Sequence, residues 1–464
     1  MFKLITLLSC LLLLLGINQF EMIYQAAPYP LTTGCIFLLG IALWFFNIMP
    51  APITGIILMI LFSVFDILTF EEAVSGLGEP VIWLVVSVLF LGAAVENINL
   101  DQRIAYKTLS LFGKNEKNIV FIFILLGYFL TFLIPNSMAR LSMLLPISQS
   151  VIGEIQTKDK ENFCKVLILS ITFVPYITTV AIMTGASGSI YAVGLFEASL
   201  DYQWSYLYWL LVITPITLSS LLVLWIALFF WFPIKNTDTT KIYIFKEKLN
   251  EMGKATIKEK KLTIIYIILI TGWITSQWHH FSISLISLIA MVVLFLPGVD
   301  IIKWEEARKK VDWGIPLLFA AGLSIALAFE SGGVIDLVAQ YIVYPMENVK
   351  PFLLSLCIMV VIVFIRIGFT NFNSMVASTM PIILTLGTVS DVNPIWLGMI
   401  YLIASSTSFL IPTQAIGSMT TYSLGYYSSQ DYLKVGFPLT IAIVMVTLFA
   451  AFYYWPYIGL SIYE

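Results

Sequence analysis

Apolar runs of helix length recur along almost the whole chain. They fall at about 4–20, 30–47, 51–67, 81–97, 118–150, 164–197 and 206–232. A polar, Lys-rich stretch from Lys235 to Lys261 interrupts them, and a second series follows at about 262–278, 282–298, 312–329, 352–386, 393–424 and 436–458. A helical span needs roughly 17–25 apolar residues and a barrel strand roughly ten in alternation, so the pattern predicts an all-α polytopic membrane protein. Two runs in each half are too long for one crossing: 118–150 and 164–197, then 352–386 and 393–424. The first of each pair carries an Asn-Ser-Met motif near its middle, which predicts a re-entrant helical hairpin. The second carries small and hydroxyl residues at its centre, Thr178 to Ser189 in one half and Ser405 to Ser418 in the other. Those runs predict helices unwound at mid-membrane, which is tolerated only where backbone is buried in protein or lines a cavity. The whole reads as about 11 transmembrane helices plus two re-entrant hairpins.

The two halves echo each other. Asn136-Ser137-Met138-Ala139 returns as Asn373-Ser374-Met375-Val376-Ala377, and Pro146-Ile147 as Pro381-Ile382. Upstream, Phe70-Glu71-Glu72-Ala73 returns as Trp304-Glu305-Glu306-Ala307, and in both copies a Glu follows 26 residues after the aromatic, Glu96 and Glu330. Repeated polar motifs at membrane depth point to a transporter built from a structural repeat, with its site where interrupted helices meet. The predicted division is a scaffold part (1–117), a transport part (118–232), a cytoplasmic Lys-rich linker (233–261), a second scaffold part (262–350) and a second transport part (351–464).

Composition agrees with a membrane chain: 464 residues are 59% hydrophobic and 11% charged, with a mean hydropathy of +0.95, where a soluble domain carries about 25% charged residues. Four cysteines in apolar sequence, with no CxxC spacing, suggest neither a disulfide framework nor a metal site. The only histidines, His279-His280, read as a short exposed loop. Met1-Phe2-Lys3 and the following apolar run resemble a signal peptide, and Leu7-Leu8-Ser9-Cys10 a lipoprotein site. The basic region is very short and the run continues to about Ile17 without a small-residue site, so a retained first helix is expected.

Charge orients the chain. With the N-terminus inside and each hairpin entering and leaving on one side, all of the 24 Lys and Arg except Lys350, Arg140 and Arg366 fall on the cytoplasmic side. The first hairpin then opens to the cytoplasm and the second to the outside, so the halves form two inverted repeats. The C-terminus is expected outside, in a multi-pass cell-membrane protein.

A hairpin tip exposes helix ends at mid-membrane, where N-termini favour anions and freed carbonyls favour a hard cation. Asn and Ser there serve both ligands, although one such pair alone is as well explained by interhelical hydrogen bonding. Arg140 lies four residues after Asn136 and Arg366 one turn before Thr370, and no Asp or Glu stands inside the hairpins. The site should therefore favour an anion. Arg140 either holds a substrate carboxylate or takes the electrostatic part of a bound sodium; the alternative is that it pairs with a loop carboxylate or snorkels.

The order of segments, with Phe70-Glu71-Glu72-Ala73-Val74-Ser75-Gly76-Leu77, Pro80-Val81-Ile82-Trp83-Leu84 and Asp431 to Leu439, resembles the divalent anion–sodium symporter family over about 28–460. The resemblance implies homodimers with an elevator movement, and hairpin tips that bind carboxylates and two sodium ions. Substrate binding by Asn136, Ser137, Asn373, Ser374, Thr413 and Arg140 is implied. So is a first sodium site at Thr131, Asn136 and Thr178, and a second at Thr370, Asn373 and Ser406, with Asn371 as the other register of the second tip. Pro135-Asn136-Ser137 stands where Ser-Asn-Thr is usual, and Arg140 where a small residue is usual. The expected function is import of a C4-dicarboxylate or citrate with sodium, without an organic cofactor or a nucleic-acid partner. Sulfate symport and anion exchange are the alternatives. An intramembrane enzyme would need a catalytic constellation, and no intramembrane histidine is available for one.

Overall fold

A computed structural model describes residues 16–19, 21, 29–113, 115–154, 159–234, 243–338, 340 and 349–463. Most of the expected first helix, parts of the Lys-rich linker and the loop before Val349 lie outside these residues. Every described element is a helix. Among the described residues, six helices reach 18 residues with spanning hydropathy, and five more apolar helices are 10–17 residues long. Two of the shorter ones, Pro351–Ile365 and Pro394–Ser406, are a hairpin arm and half of a broken helix, which need not cross the full bilayer.

Each half begins with the helices expected to form a scaffold. In the first, Pro30–Phe45 and Ala51–Val64 precede a short helix, Phe70–Ser75, and then Pro80–Asn97. In the second, Ile257–Ile274 and Ile283–Val293 precede the short Trp304–Lys310 and then Gly314–Ser331. The echoed Phe-Glu-Glu-Ala and Trp-Glu-Glu-Ala motifs are thus matching short helices. Thr69 and Glu72 close a capping box on the first, and Pro80 at the first helical position of the next span costs no hydrogen bond.

The scaffolds interlock reciprocally. Pro80–Asn97 packs on Ile283–Val293 and Trp304–Lys310, while Gly314–Ser331 packs on Ala51–Val64 and Phe70–Ser75. Phe90 stacks on Trp304 at 5.1 Å, and the buried Ser324 hydroxyl donates to the Ala73 carbonyl. The sequence pattern missed the polar helices Leu100–Phe112 and Tyr243–Glu251. Arg103 of the first donates to the Gly253 carbonyl just beyond the second (2.8 Å) and pairs with Glu259 of Ile257–Ile274 at 2.7 Å.

The segments expected to form the transport parts have the expected breaks. The first hairpin is Glu116–Leu130 and Ser137–Glu154, and the second is Pro351–Ile365 and Phe372–Val389. The first broken helix runs Lys160–Ile177, then Ser187–Leu200; the second runs Pro394–Ser406, then Ile416–Tyr422. The long helices Tyr206–Trp231 and Ser429–Phe449 follow them and pack on each other.

Candidate functional site

The hairpin tips, residues 131–136 and 366–371, are of equal length. At the first, the Asn136 side-chain oxygen accepts from the backbone N–H of Met138 (2.9 Å) and Ala139 (3.2 Å). At the second, the Asn371 oxygen accepts from the Asn373 N–H at 2.8 Å. Each Asn caps the second arm of its hairpin. The structural counterpart of Asn136 is therefore Asn371, not Asn373; the repeated Asn-Ser-Met string is shifted by two residues against the geometry.

Each broken helix resumes after an extended alanine, Ala186 (φ −153°) or Ala415 (φ −145°). Two residues further stand Gly188 and Gly417, where backbones meet closely. A Cβ at Gly188 would lie 2.5 Å from the Phe372 ring, and one at Gly417 would lie 2.5 Å from both the Tyr176 hydroxyl and Leu141. The Gly417 N–H donates to the Tyr176 oxygen at 3.0 Å. The resumed half of each broken helix thus packs on the hairpin of the other repeat: Ser187–Leu200 on Phe372–Val389, and Ile416–Tyr422 on Ser137–Glu154.

A cavity of about 200 Å³ lies where these elements converge. Asn136, Ser137, Tyr176, Ser187, Arg366, Thr370, Asn371 and Asn373 line it, with Asp312 contributed by the scaffold. The first turns of three long helices, starting at Ser137, Ser187 and Phe372, form its wall, with the shorter one at Ile416 beside them. Their N–H groups and partial positive charges suit an anion. The one carboxylate on the wall is Asp312, and it accepts the Gly314 N–H at 3.0 Å.

Six sequence-derived residues are not on that wall. Thr131, Thr178 and Ser406 each donate back to their own helix, to Gly127 (2.9 Å), Val174 (3.0 Å) and Ile403 (2.8 Å). Ser374 is buried to the side, and Thr413 is exposed. Arg140 is fully buried and turned from the cavity, so the expected carboxylate contact gives way to backbone contacts. Its guanidinium donates to the carbonyls of Ile134 (2.9 Å), Gly185 (2.7 Å) and Pro175 (2.8 Å). Arg366, also buried, donates to the carbonyls of Phe369, Gln414 (3.0 Å) and Ser405 (3.0 Å). Both guanidinium groups thus end on the freed carbonyls of a hairpin–helix junction, the groups that would suit a hard cation. An ion placed among them would sit against a fixed positive charge in a low-dielectric setting, so the residues present do not fit sodium there. Sequence reasoning missed Tyr176, Ser187 and Asp312. Tyr176 adjoins Pro175 in the last turn of Lys160–Ile177, but nothing local marked Asp312.

A helical membrane chain with two hairpins, two broken helices and a small polar cavity between their ends is a secondary transporter by architecture. The family described as the sodium:sulfate symporter transmembrane region matches residues 2–461, and the chain belongs to that family, the divalent anion–sodium symporters. It is 24% identical over 467 residues to the sodium-dependent dicarboxylate transporter SdcS of Staphylococcus saprophyticus, covering 94% of this chain and 89% of that protein. An uncharacterised transporter of Methanocaldococcus jannaschii is 26% identical, with 93% of this chain and 94% of that protein covered. Two solved transporters share the fold at low identity. MtrF of Neisseria gonorrhoeae has a TM-score of 0.53 and 14% identity, over 88% of this chain and 86% of that one. YdaH of Alcanivorax borkumensis has a TM-score of 0.52 and 12% identity, over 82% and 86%. The family and these relatives are transporters, not enzymes.

Proposed function

We propose that this protein is a secondary transporter of a small dianion or trianion, a C4-dicarboxylate or citrate. The observation that carries this reading is the convergence of helix N-termini, capping asparagines and the Arg366 guanidinium on one cavity of about 200 Å³. That volume is below the roughly 300–1,000 Å³ of drug-sized pockets and suits a small anion. The name of the staphylococcal relatives supports a dicarboxylate, and the family description leaves sulfate as the competitor. Those names also support sodium as the coupling ion. Anion exchange is the second reading, favoured by the guanidinium groups that hold the carbonyls at both junctions.

The wall is made mostly by hairpins and broken helices, with Asp312 and Ile315 from the scaffold. This supports an elevator movement of the transport parts against a fixed scaffold. The family resemblance supports a homodimer, and the Lys and Arg distribution supports a cytoplasmic N-terminus in the cell membrane. Uptake of labelled succinate, citrate and sulfate into proteoliposomes is the test. Succinate or citrate is expected to accumulate above protein-free vesicles, and a preference for sulfate would reassign the substrate.

A further inference from the structure

We infer that the outer face of the helices Tyr206–Trp231 and Ser429–Phe449 holds one anionic phospholipid of the cytoplasmic leaflet, with an acyl chain in the groove between them and its headgroup on Lys434. The inference rests on the protein's place in a membrane, not on what it carries. Its first support is the groove itself, which encloses about 780 Å³. Phe230 and Trp231 line it from the first helix, Leu433, Phe437 and Pro438 from the second. Ala227 lines it too; it is buried and small, so it leaves space that a larger side chain would fill. Phe230 is 74% and Phe437 55% exposed. Large apolar side chains left open along a groove mark a membrane or partner contact, and hydrocarbon is the surrounding that costs them nothing.

The second support is where the polar groups stand. The other lining side chains are apolar, and the polar ones, Gln430 and Lys434, lie in the first two turns of Ser429–Phe449. Trp231 closes the opposite helix at this same end of the groove. On the orientation that the Lys and Arg distribution supports, this is the cytoplasmic end, where an aromatic ring and a lysine are expected at headgroup level. A groove apolar along its length and cationic at one end has the asymmetry of a phospholipid. A second copy seated here about an axis along the membrane normal would instead bring its own Lys434 to the same level, like charge against like.

The third support is that Lys434 has charge to offer. Its side chain is 47% exposed, and its one ion pair among the described residues is a loose one to Asp431 at 4.0 Å. That carboxylate is already engaged: it accepts the Ser428 N–H at 3.0 Å and faces Lys165 at 3.5 Å. Lys165 is itself shared with Glu161 at 2.9 Å. The positive end of the 21-residue helix that carries Lys434 adds to the attraction for a phosphate. Basic pockets of this kind on the cytoplasmic side hold anionic headgroups. Tyr206–Trp231 also packs on Lys160–Ile177, so the lipid sits on the segments expected to form the transport part.

The test uses the full-length protein in detergent, titrated with phosphatidylglycerol or phosphatidylcholine of identical acyl chains and followed by native mass spectrometry. The first lipid bound should favour phosphatidylglycerol by roughly fivefold, the effect of one lysine at a membrane surface. Lys434→Gln should abolish that preference and Lys434→Arg should keep it. Ala227→Leu should weaken binding of both lipids and leave the preference intact. Should Ala227→Leu fail to fold, the wild type and the two variants of the half-exposed Lys434 decide alone. Equal affinity of the wild type for both lipids, a preference that survives Lys434→Gln, or unchanged binding by a folded Ala227→Leu would each overturn the inference. So would a disulfide-linked dimer of Phe230→Cys in a background without the native cysteines, which would assign the groove to a second copy. All of these outcomes leave the anion-transporter reading intact.

Discussion

An asparagine that spends its side-chain oxygen on a helix cap keeps its amide N–H groups for a ligand. Asn136 and Asn371 are both in that position. Replacing either with Ala should weaken anion binding roughly 10- to 100-fold, the loss of about 1–3 kcal/mol from a desolvated hydrogen bond. Asn136→Asp separates cap from ligand: it preserves the capping oxygen and should hold thermal stability near wild type, yet bind anions more weakly than Asn136→Ala. Affinity and unfolding midpoint measured on both variants check this. Outside the spans, Asp101 is 3% exposed, and burial, opposed by the Gln102 N–H and reinforced by Glu96, lifts its carboxyl to about 6. Its folded value lies above the unfolded one of about 3.9, so its stabilising contribution is complete below that and lost as pH rises through about 6. Asp101→Asn should therefore raise the unfolding midpoint at pH 8 more than at pH 5; an equal shift at both would contradict the assignment. The polar tip residues were legible because Asn and Ser stand out in apolar sequence. The direction of Arg140 was not, since burial against three carbonyls and exposure to a cavity read identically in a string.

Breaks, not spans, are the elements that matter here, and most were legible as runs too long for one crossing. What the runs could not reveal is which pieces meet. Hydrophobic periodicity carries no record of contacts between segments far apart in the chain, so the packing of each resumed half on the opposite hairpin appears only in three dimensions. The register of the second tip stayed open in the sequence for a related reason: identity favoured Asn373 over Asn371, while equal tip length selects Asn371 as the cap. The close approaches at Gly188 and Gly417 test this packing. Gly188→Ala would bring a Cβ within 2.5 Å of Phe372, and overpacking of this kind costs about 1–3 kcal/mol. The expected outcome is a lower unfolding midpoint and weakened anion binding, with Gly417→Ala behaving alike. Gly34, with nothing within 4 Å of its Cβ position, should accept Ala with neither effect.

For the molecule as a whole, the Lys and Arg distribution makes orientation testable. In a background lacking the four native cysteines, Ser461→Cys should react with an impermeant thiol reagent on intact cells, while Lys254→Cys should react only after permeabilisation. The reverse pattern would invert the topology. The reciprocal contacts also bear on how the chain is made. Synthesis at about 5–20 residues per second leaves the first transport part waiting on the order of tens of seconds for Phe372 and Gly417, the neighbours that close around it. Through that interval its polar breaks are inserted without their final cover, and neither half can finish folding before the other emerges. Two fragments divided within the Lys-rich linker should accordingly be degraded when expressed singly and recovered when expressed together, which pulse–chase of the separate and paired fragments would reveal.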